Sequence, residues 1–422
     1  MVPANCPAYA DDLAILAAYA ETLQLIINMV QNFANAWRIQ FNAGKSAIMV
    51  FPLCQRVHQK AIYMNNMPIP YKDFKEYLGI NIGDSGLVIN TMVRKGKNTF
   101  NSMLGLGSTT GGINPIVGSK IYWSVVVPSM TYGAEVMDLG NEQLQELEKQ
   151  HRQFGKRLQC LSSKTSNPAA HSQLGWYSLT AHIEIRTLTF FYNIFHLQSS
   201  IFKTILINRL IDLLSADQPK RGPIAQFVRI CRKYNLVEQV EETLRSGTPI
   251  AKDTWKAQCS HTIHEHELKL FQIECLMYKK LQHLPKEISM NAWWRVAFSF
   301  PKHKKACNLM MKFVVGEEPL RANHGRFNKN KNEKICKICN EGVIEDKIHF
   351  MFHCQTINTE RQMLIRVTAE AGISFHTAQM QNNCQMIINP RNASKYRKAV
   401  IAQSLYRMYR KRKDKDKDTI EV

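Results

Sequence analysis

The spacing of apolar residues changes about 85 residues into this chain, and the change separates two kinds of structure. Residues 7 to 16 read as strand, tight turn, strand, with Asp11 and Asp12 at the turn. Between Ala20 and Trp37 the apolar residues Leu23, Ile26, Ile27, Val30, Phe33 and Trp37 recur at helical spacing, which predicts an amphipathic helix lying on an apolar surface. Short strands follow at Ala47 to Phe51, Ala61 to Met64 and Glu76 to Ile82, punctuated by Pro, Asn and Gly. The first 85 residues therefore read as α+β.

From about residue 88 the period is helical. Helices are predicted over Asn90 to Leu104, Ile116 to Val127 (stopped by Pro128), Leu144 to Leu161 and Thr180 to Leu197. Three more are predicted over Ile205 to Leu214, Ile224 to Leu244 and Ile263 to Leu281, and a Gly-rich loop over Gly105 to Pro115. Residues 320 to 335 are polar and basic and read as a linker. A Cys/His unit and further helices come next. The run KRKDKDKD from Lys411 cannot build a core by itself and reads as a frayed or disordered tail. No repeat at solenoid spacing is present.

Charge narrows the partners. Fifty-five Lys and Arg against 34 Asp and Glu give a formal net charge of +21, and basic runs recur along the whole length. So widespread a basic surface favours a polyanion, nucleic acid ahead of anionic membrane, over a merely solvated lysine surface. The longest apolar stretches, Leu23 to Val30 and Ile121 to Val127, are too short to span a bilayer, and no signal peptide is visible. The eleven cysteines form no even framework, so the expected setting is intracellular, in nucleus or cytoplasm, where thiols stay reduced. The length allows two to four compact units.

The sequence AYADDLAIL places two adjacent carboxylates, Asp11 and Asp12, between apolar flanks. By itself an Asp-Asp pair is a turn or a helix N-cap, with Asp12 able to cap a helix from Leu13. Two-metal nucleotidyl transfer is the functional alternative, because carboxylates fixed by a hairpin can hold cations that bridge attacking and leaving oxygens. Two later stretches, FNAGKSAIMVF (Phe41 to Phe51) and FKEYLGI (Phe74 to Ile80), follow in order.

Together the three resemble the palm of reverse transcriptases of non-LTR (LINE-type) retrotransposons. In that family a Tyr-x-Asp-Asp hairpin precedes a helix, an Asn-x-x-Lys-Ser/Thr turn and a Tyr-Leu-Gly hairpin. Here these are Tyr9 to Asp12, Asn42 to Ser46 and Tyr77-Leu78-Gly79. VVVPSMTYGAEVMDL and LGWYSL look like later segments of the same elements, carried over by position only. The resemblance implies that Asp11 and Asp12 ligate catalytic Mg²⁺, that Lys45 lies near the phosphates of the incoming nucleotide, and that Tyr77, Leu78 and Gly79 hold the primer end. It implies an α+β partial palm over 1–85, a helical thumb over 86–165, an α-helical connector over 166–325, a zinc-binding unit over 326–375 and a basic helical tail over 376–422. The family's third palm aspartate and its fingers precede the Tyr-x-Asp-Asp hairpin. The expectation is therefore a truncated RNA-directed DNA polymerase, not competent alone, with RNA template and DNA primer or target as partners and no membrane. The alternative is a non-catalytic RNA- or DNA-binding protein derived from such an element.

CKICNEGVIEDKIHFMFHC places Cys336 and Cys339 two residues apart, then His349 after nine residues and Cys354 after four more. Cys-x2-Cys with His-x4-Cys is a closed Cys₃His set for structural Zn²⁺, and the apolar residues between the pairs suffice for a micro-core only with metal. It is similar to the C-terminal zinc-binding unit of the same family, which also carries an acidic residue where Glu345 stands. His353 is the alternative ligand. The basic approach, with Arg321, Arg326, Lys329, Lys331 and Lys334, suits contact with phosphates. Phe327 and Phe350 are candidates for base stacking, with a core role as the alternative. Cys259, His261, His264 and His266 read as structural or surface residues of a helix rather than a metal site.

Overall fold

The structure is a computed structural model that describes residues 6–51, 60–83, 85–106, 112–198, 200–216, 221–278, 280–284, 286–324, 331–339, 341–376 and 379–418. Among the described residues the chain is mainly helical, with its paired strands forming a small sheet region within the first 83 residues. Three antiparallel pairs make up that region: β1 (Ala8–Tyr9) with β2 (Asp12–Leu13), β3 (Tyr63–Met64) with β4 (Met67–Pro68), and β5 (Phe74–Tyr77) with β6 (Ile80–Gly83). The helix α1 (Ala20–Ala36) lies between the first and second pairs in sequence. Then come α2 (Ser85–Gly105), α3 (Pro115–Ile121), α4 (Val127–Thr131), α5 (Asn141–Leu158), α6 (Asn167–Ser172), α7 (Leu179–Ile194), α8 (Ile201–Leu214), α9 (Pro223–Lys233), α10 (Val237–Ser246) and α11 (Lys252–Met277). The series closes with α12 (Ala292–Ser299), α13 (Lys304–Val314), α14 (Arg321–His324), α15 (Asn358–Glu370), α16 (Met380–Ile388) and α17 (Lys395–Asp418). Among the described residues no helix is long and apolar enough to cross a membrane.

The chain forms two compact units. The first gathers Met1–Gly96, Pro128–Glu146 and Ile183–Ala257, and the second Lys97–Val127, Leu147–His182 and Gln258–Val422. In the first unit, Ile27 of α1 packs with Ala43, Ile48, Ile62, Met64 and Ile69, and Leu23, Phe41 and Tyr71 close the edge of this cluster. The predicted strand Ala47 to Phe51 reduces to one parallel bridge, Ile48 to Tyr71. The predicted buried face of α1 is also revised. Ile27 and Ala34 are the buried residues, while Phe33 and Trp37 are 61% and 69% exposed. They continue a second apolar row with Leu25 and Met29, also exposed, at intervals of four residues. A helix with apolar residues nearly all round satisfies two helical stripes at once, so periodicity alone could not say which one the β3–β4 hairpin would cover.

Elsewhere in this unit the ring of Tyr192 stacks on Trp255 with centroids 4.0 Å apart, and the Trp255 indole N–H donates to the Leu188 carbonyl at 3.2 Å. The predicted single helix Ile224 to Leu244 is two helices, α9 and α10, because Asn235 between them takes a left-handed backbone (φ 56) that ends the first.

The second unit is built round aromatics. Tyr122 lies flat on Trp176 (4.2 Å), and Phe100 on Phe154 (4.3 Å). The Trp293 indole donates to the Ile388 carbonyl at 2.9 Å, so even the largest side chains satisfy their polar atoms. Pro128 was expected to end the helix before it. Instead the backbone widens into a π-helical stretch, Tyr122–Val126, where the Val127 N–H reaches back five residues to the Tyr122 carbonyl. Widening immediately before the proline supplies room for a ring that has no N–H to donate, and the helix continues as α4.

Candidate metal centre and carboxylate hairpin

Cys336, Cys339, His349 and Cys354 converge. All four are buried, and one potential ligand atom from each lies within 4.8 Å of the others. Local structure brings about each half. Cys336 and Cys339 sit at the turn of a narrow hairpin, in which the Cys336 N–H donates to Val343 O at 2.8 Å and the Glu345 N–H to Lys334 O at 2.8 Å. His349 and Cys354 lie five residues apart, which on an α-helix of 3.6 residues per turn would set them roughly 140° apart. The π-helical turn His349–His353 removes that offset: the Cys354 N–H bonds to the His349 carbonyl at 2.8 Å, five residues back. Asp346 caps the turn by accepting the His349 N–H at 2.8 Å. The structure also decides the alternative ligand, since His353 is exposed and stands outside the cluster.

The donor set suits zinc: three soft thiols and one imidazole, all withdrawn from water. The Cys339 sulfur and His349 Nε2 stand 3.4 Å apart. The Cys336 S–H reaches Glu345 Oε1 at 3.9 Å; the adjacent Cys354 sulfur first, and then burial, push the Cys336 thiol well above its ordinary value, while the same neighbour interaction lowers Cys354. Burial lowers the His349 imidazole, favouring the neutral form that binds metal.

Around the cluster lies a layer of arginines and carboxylates. Arg361 of α15 donates Nε to the Met351 carbonyl at 3.1 Å and Nη2 to the carbonyl of the ligand Cys354. Glu345, 1% exposed, accepts Nε of Arg412 at 2.7 Å and Nη2 at 2.5 Å, and also the backbone N–H of Arg321 at 2.9 Å. Asp416 then binds Arg321 and Arg412 together. The expected frayed tail from Lys411 is thus corrected: α17 stays helical to Asp418, and Arg412 is 6% exposed. A buried bidentate pair with Glu345 removes a charge that would otherwise oppose burial. Arg361, Arg412 and Asp416 were not legible as part of this centre.

Other expected contacts fall variously. The Arg321 side chain is engaged by Asp416. Lys334 is half-buried and Lys331 opens a short 3₁₀ turn, while Arg326, Lys329 and Phe327 lie outside the described residues. Phe350 belongs to the core, stacked on Phe313. Within α11, Cys259 is buried, His264 lies flat on Tyr177 at 3.9 Å and His261 faces Glu265, so these residues do not gather as metal ligands.

The aspartates lie where a hairpin puts them. Tyr9 pairs with Asp12, Ala10 and Asp11 make the turn, and both carboxylates are exposed. Ala10 takes φ 52, a left-handed conformation that costs an L-residue about 1–2 kcal/mol. Among the described residues no third ligand gathers with Asp11 and Asp12, and no ion pair joins them to Lys45. Two carboxylates are fewer than a pair of Mg²⁺ ions needs. Lys45 itself is exposed on a turn in which Asn42 accepts its backbone N–H at 3.1 Å.

The Tyr77-Leu78-Gly79 segment is a two-residue hairpin turn with positive φ at both Leu78 and Gly79, the geometry that matches strand twist. Tyr132 backs it. A Cβ on Gly79 would stand 3.1 Å from that ring, and the Tyr132 hydroxyl reaches the Leu78 carbonyl at 3.4 Å. Gly133, in turn, leaves room for Ile80. Two stretches 54 residues apart, each singled out separately in the sequence, are thereby packed together. Arg186 fastens the second one through Glu135 (2.6 Å) and Thr131 (3.1 Å). No protein-family model and no curated protein matches this chain.

Proposed function

We propose that this chain is a nucleic-acid-binding protein of reverse-transcriptase type, carrying the later part of a non-LTR polymerase palm, a helical thumb and connector, and a Cys₃His zinc unit. The observation that carries the reading is the ordered set of motifs, with the Tyr-x-Asp-Asp turn at a hairpin tip and the Tyr-Leu-Gly turn packed against Tyr132-Gly133. The formal charge of +21 supports a polyanionic partner, an RNA template with a DNA primer or target. In such a palm Asp11 and Asp12 would contribute to holding Mg²⁺, but this donor set is incomplete, and binding rather than autonomous polymerisation is the activity assigned to the chain by itself. Zn²⁺ held by Cys336, Cys339, His349 and Cys354 would serve folding, because a closed set leaves no open position for a substrate.

The test is primer extension on an RNA template with Mg²⁺, comparing the unmodified chain with an Asp11→Ala, Asp12→Ala variant. Neither is expected to extend the primer, and both are expected to bind RNA with an affinity that falls steeply with salt. Extension by the unmodified chain and not by the variant would overturn the non-catalytic reading. Absence of salt-sensitive RNA binding would overturn the nucleic-acid reading altogether.

A further inference from the structure

The carboxylates of the second unit are unevenly distributed. Residues 289–316 carry five Lys or Arg and no Asp or Glu, and residues 371–413 carry nine and none. These two segments form α12, α13, α16 and the first five turns of α17, and they pack on one another. His303, in the 3₁₀ turn Pro301–His303, meets Gln403 of α17 at 3.1 Å, and the Phe300 ring meets Tyr396 edge to face at 6.1 Å. At 3.6 residues per turn Tyr396, Gln403, Arg407 and Arg410 fall on one stripe of α17, about 21 Å long. Lys302 and Lys305 stand exposed on the segment beside it. Arg407, Arg410, Lys302 and Lys305 are all exposed, and none is ion-paired within the described residues. Tyr396 is 66% exposed, although it sits among charges.

We infer that this face binds single-stranded nucleic acid, its cations following the phosphates and Tyr396 stacking on a base. The inference rests on the nucleic-acid reading above and adds the surface and the strandedness. Cations in excess focus a positive potential: Asp414, one turn beyond Arg410, is the one carboxylate on the α17 stripe, against Arg407, Arg410, Lys302 and Lys305. A ring exposed among cations is of use only to a partner with unstacked π-faces; a duplex hides its bases, whereas a single strand offers them. An anionic lipid surface would satisfy the charge and can seat a tyrosine at its interface; competition by anionic vesicles is the outcome that distinguishes it.

The experiment uses the full chain and a fluorescent 20-nucleotide single-stranded RNA of mixed sequence. A Lys302→Gln, Lys305→Gln, Arg407→Gln, Arg410→Gln variant is expected to bind at least tenfold more weakly at 100 mM salt. The slope of log affinity against log salt should fall by about 3, at ~0.7 per phosphate contact. A control of equal charge change, at the exposed Lys252, Lys256, Lys269 and Lys286, should keep binding within twofold of its slope-corrected value. Tyr396→Ala should weaken binding roughly tenfold without changing the slope. All these positions are exposed, so thermal unfolding should be unchanged, which separates lost binding from lost folding. Binding by the four-site variant equal to that of the control would overturn the surface while leaving the general reading intact. Failure of the unmodified chain to bind RNA at low salt would remove both. Equal affinity for a duplex of the same sequence, with no effect of Tyr396→Ala, would overturn the single-strand assignment. Competition by vesicles containing 30% phosphatidylserine at matched charge concentration would overturn it in favour of lipid.

Discussion

The carboxylate hairpin and the Cys/His centre both draw on residues close together in sequence, yet they are set into the molecule in opposite ways. Asp11 and Asp12 stand exposed at the tip of a hairpin of two-residue strands, with Tyr9, Leu16 and Tyr19 also exposed nearby. Cys336, Cys339, His349 and Cys354 are buried, and each half of the centre is tied to a helix further on: the His349–Cys354 turn to α15 through Arg361, the Cys336–Cys339 hairpin to α17 through Glu345 and Arg412. The first arrangement leaves its chemistry free to meet a partner and contributes little to folding. The second contributes to folding and leaves nothing exposed for a substrate. A motif's spacing identifies its chemistry, whereas its burial indicates whether that chemistry serves the fold or an external ligand.

Replacing Cys336 and Cys339 by Ser should produce the largest effect, because the hairpin and the π-helical turn have only a small core between them without metal. Native mass spectrometry is expected to show one zinc ion in the unmodified chain and none in the variant, with the unit around residues 335–357 becoming open to proteolysis and a cost of several kcal/mol. A metal-free unmodified chain of undiminished stability would remove the distinction drawn above. Arg412→Met comes next, at about 3–5 kcal/mol, because Glu345 would be left charged and buried. Glu345→Gln in the same chain should restore part of the loss, and a simple additive result in chemical denaturation would deny the pair its structural role.

Within the first unit, Ile27→Ala should cost about 2–4 kcal/mol, while Phe33→Ala, on the exposed row of the same helix, should change stability by no more than about 0.5 kcal/mol. Equal costs would mean that the exposed row is packed in solution. A further expected effect concerns pH. His151 is fully buried, with its Nδ1 2.7 Å from the Tyr122 hydroxyl and its Nε2 3.1 Å from the Tyr177 carbonyl. Burial first, then His171, Arg152 and His182, hold its pKa well below the ordinary value, against a smaller opposing effect of the Tyr177 carbonyl. As pH falls the unfolded chain takes up this proton before the folded one does. Stability is therefore full above about pH 6.5 and declines below it, by at most about 1.4 kcal/mol per pH unit. His151→Gln should flatten that part of the stability profile between pH 6.5 and 5; an unchanged profile would show that the acid loss arises elsewhere, at His283 or at the metal ligands.

Much of the candidate chemistry was legible because it depends on neighbours along the chain. The Tyr9–Asp12 turn, the Tyr77–Ile80 turn and the Cys-x2-Cys knuckle are each closed by local hydrogen bonds, and residue type at fixed spacing is enough to specify them. The helical character of the chain beyond residue 88 was legible for the same reason, since period follows from local geometry. Three other features were not legible, two of them because they depended on partners distant in sequence. The buried row of α1 was selected by the β3–β4 hairpin, and periodicity offered two rows of similar apolar content. The helix past Pro128 survived because a π-helical stretch absorbed the ring. The basic tail became an ordered helix because Arg412 found Glu345, 67 residues earlier, in a site that water does not reach.

The sequence by itself determined the identity and spacing of the Cys/His and carboxylate residues, the helical period and the sign of the surface charge, because each is a property of the chain read a few residues at a time. The tertiary structure alone decided which apolar row is buried, which arginines brace the Cys₃His cluster and which remain exposed. A charge or an apolar side chain has no role until the fold sets what stands against it, and that partner is dozens of residues away.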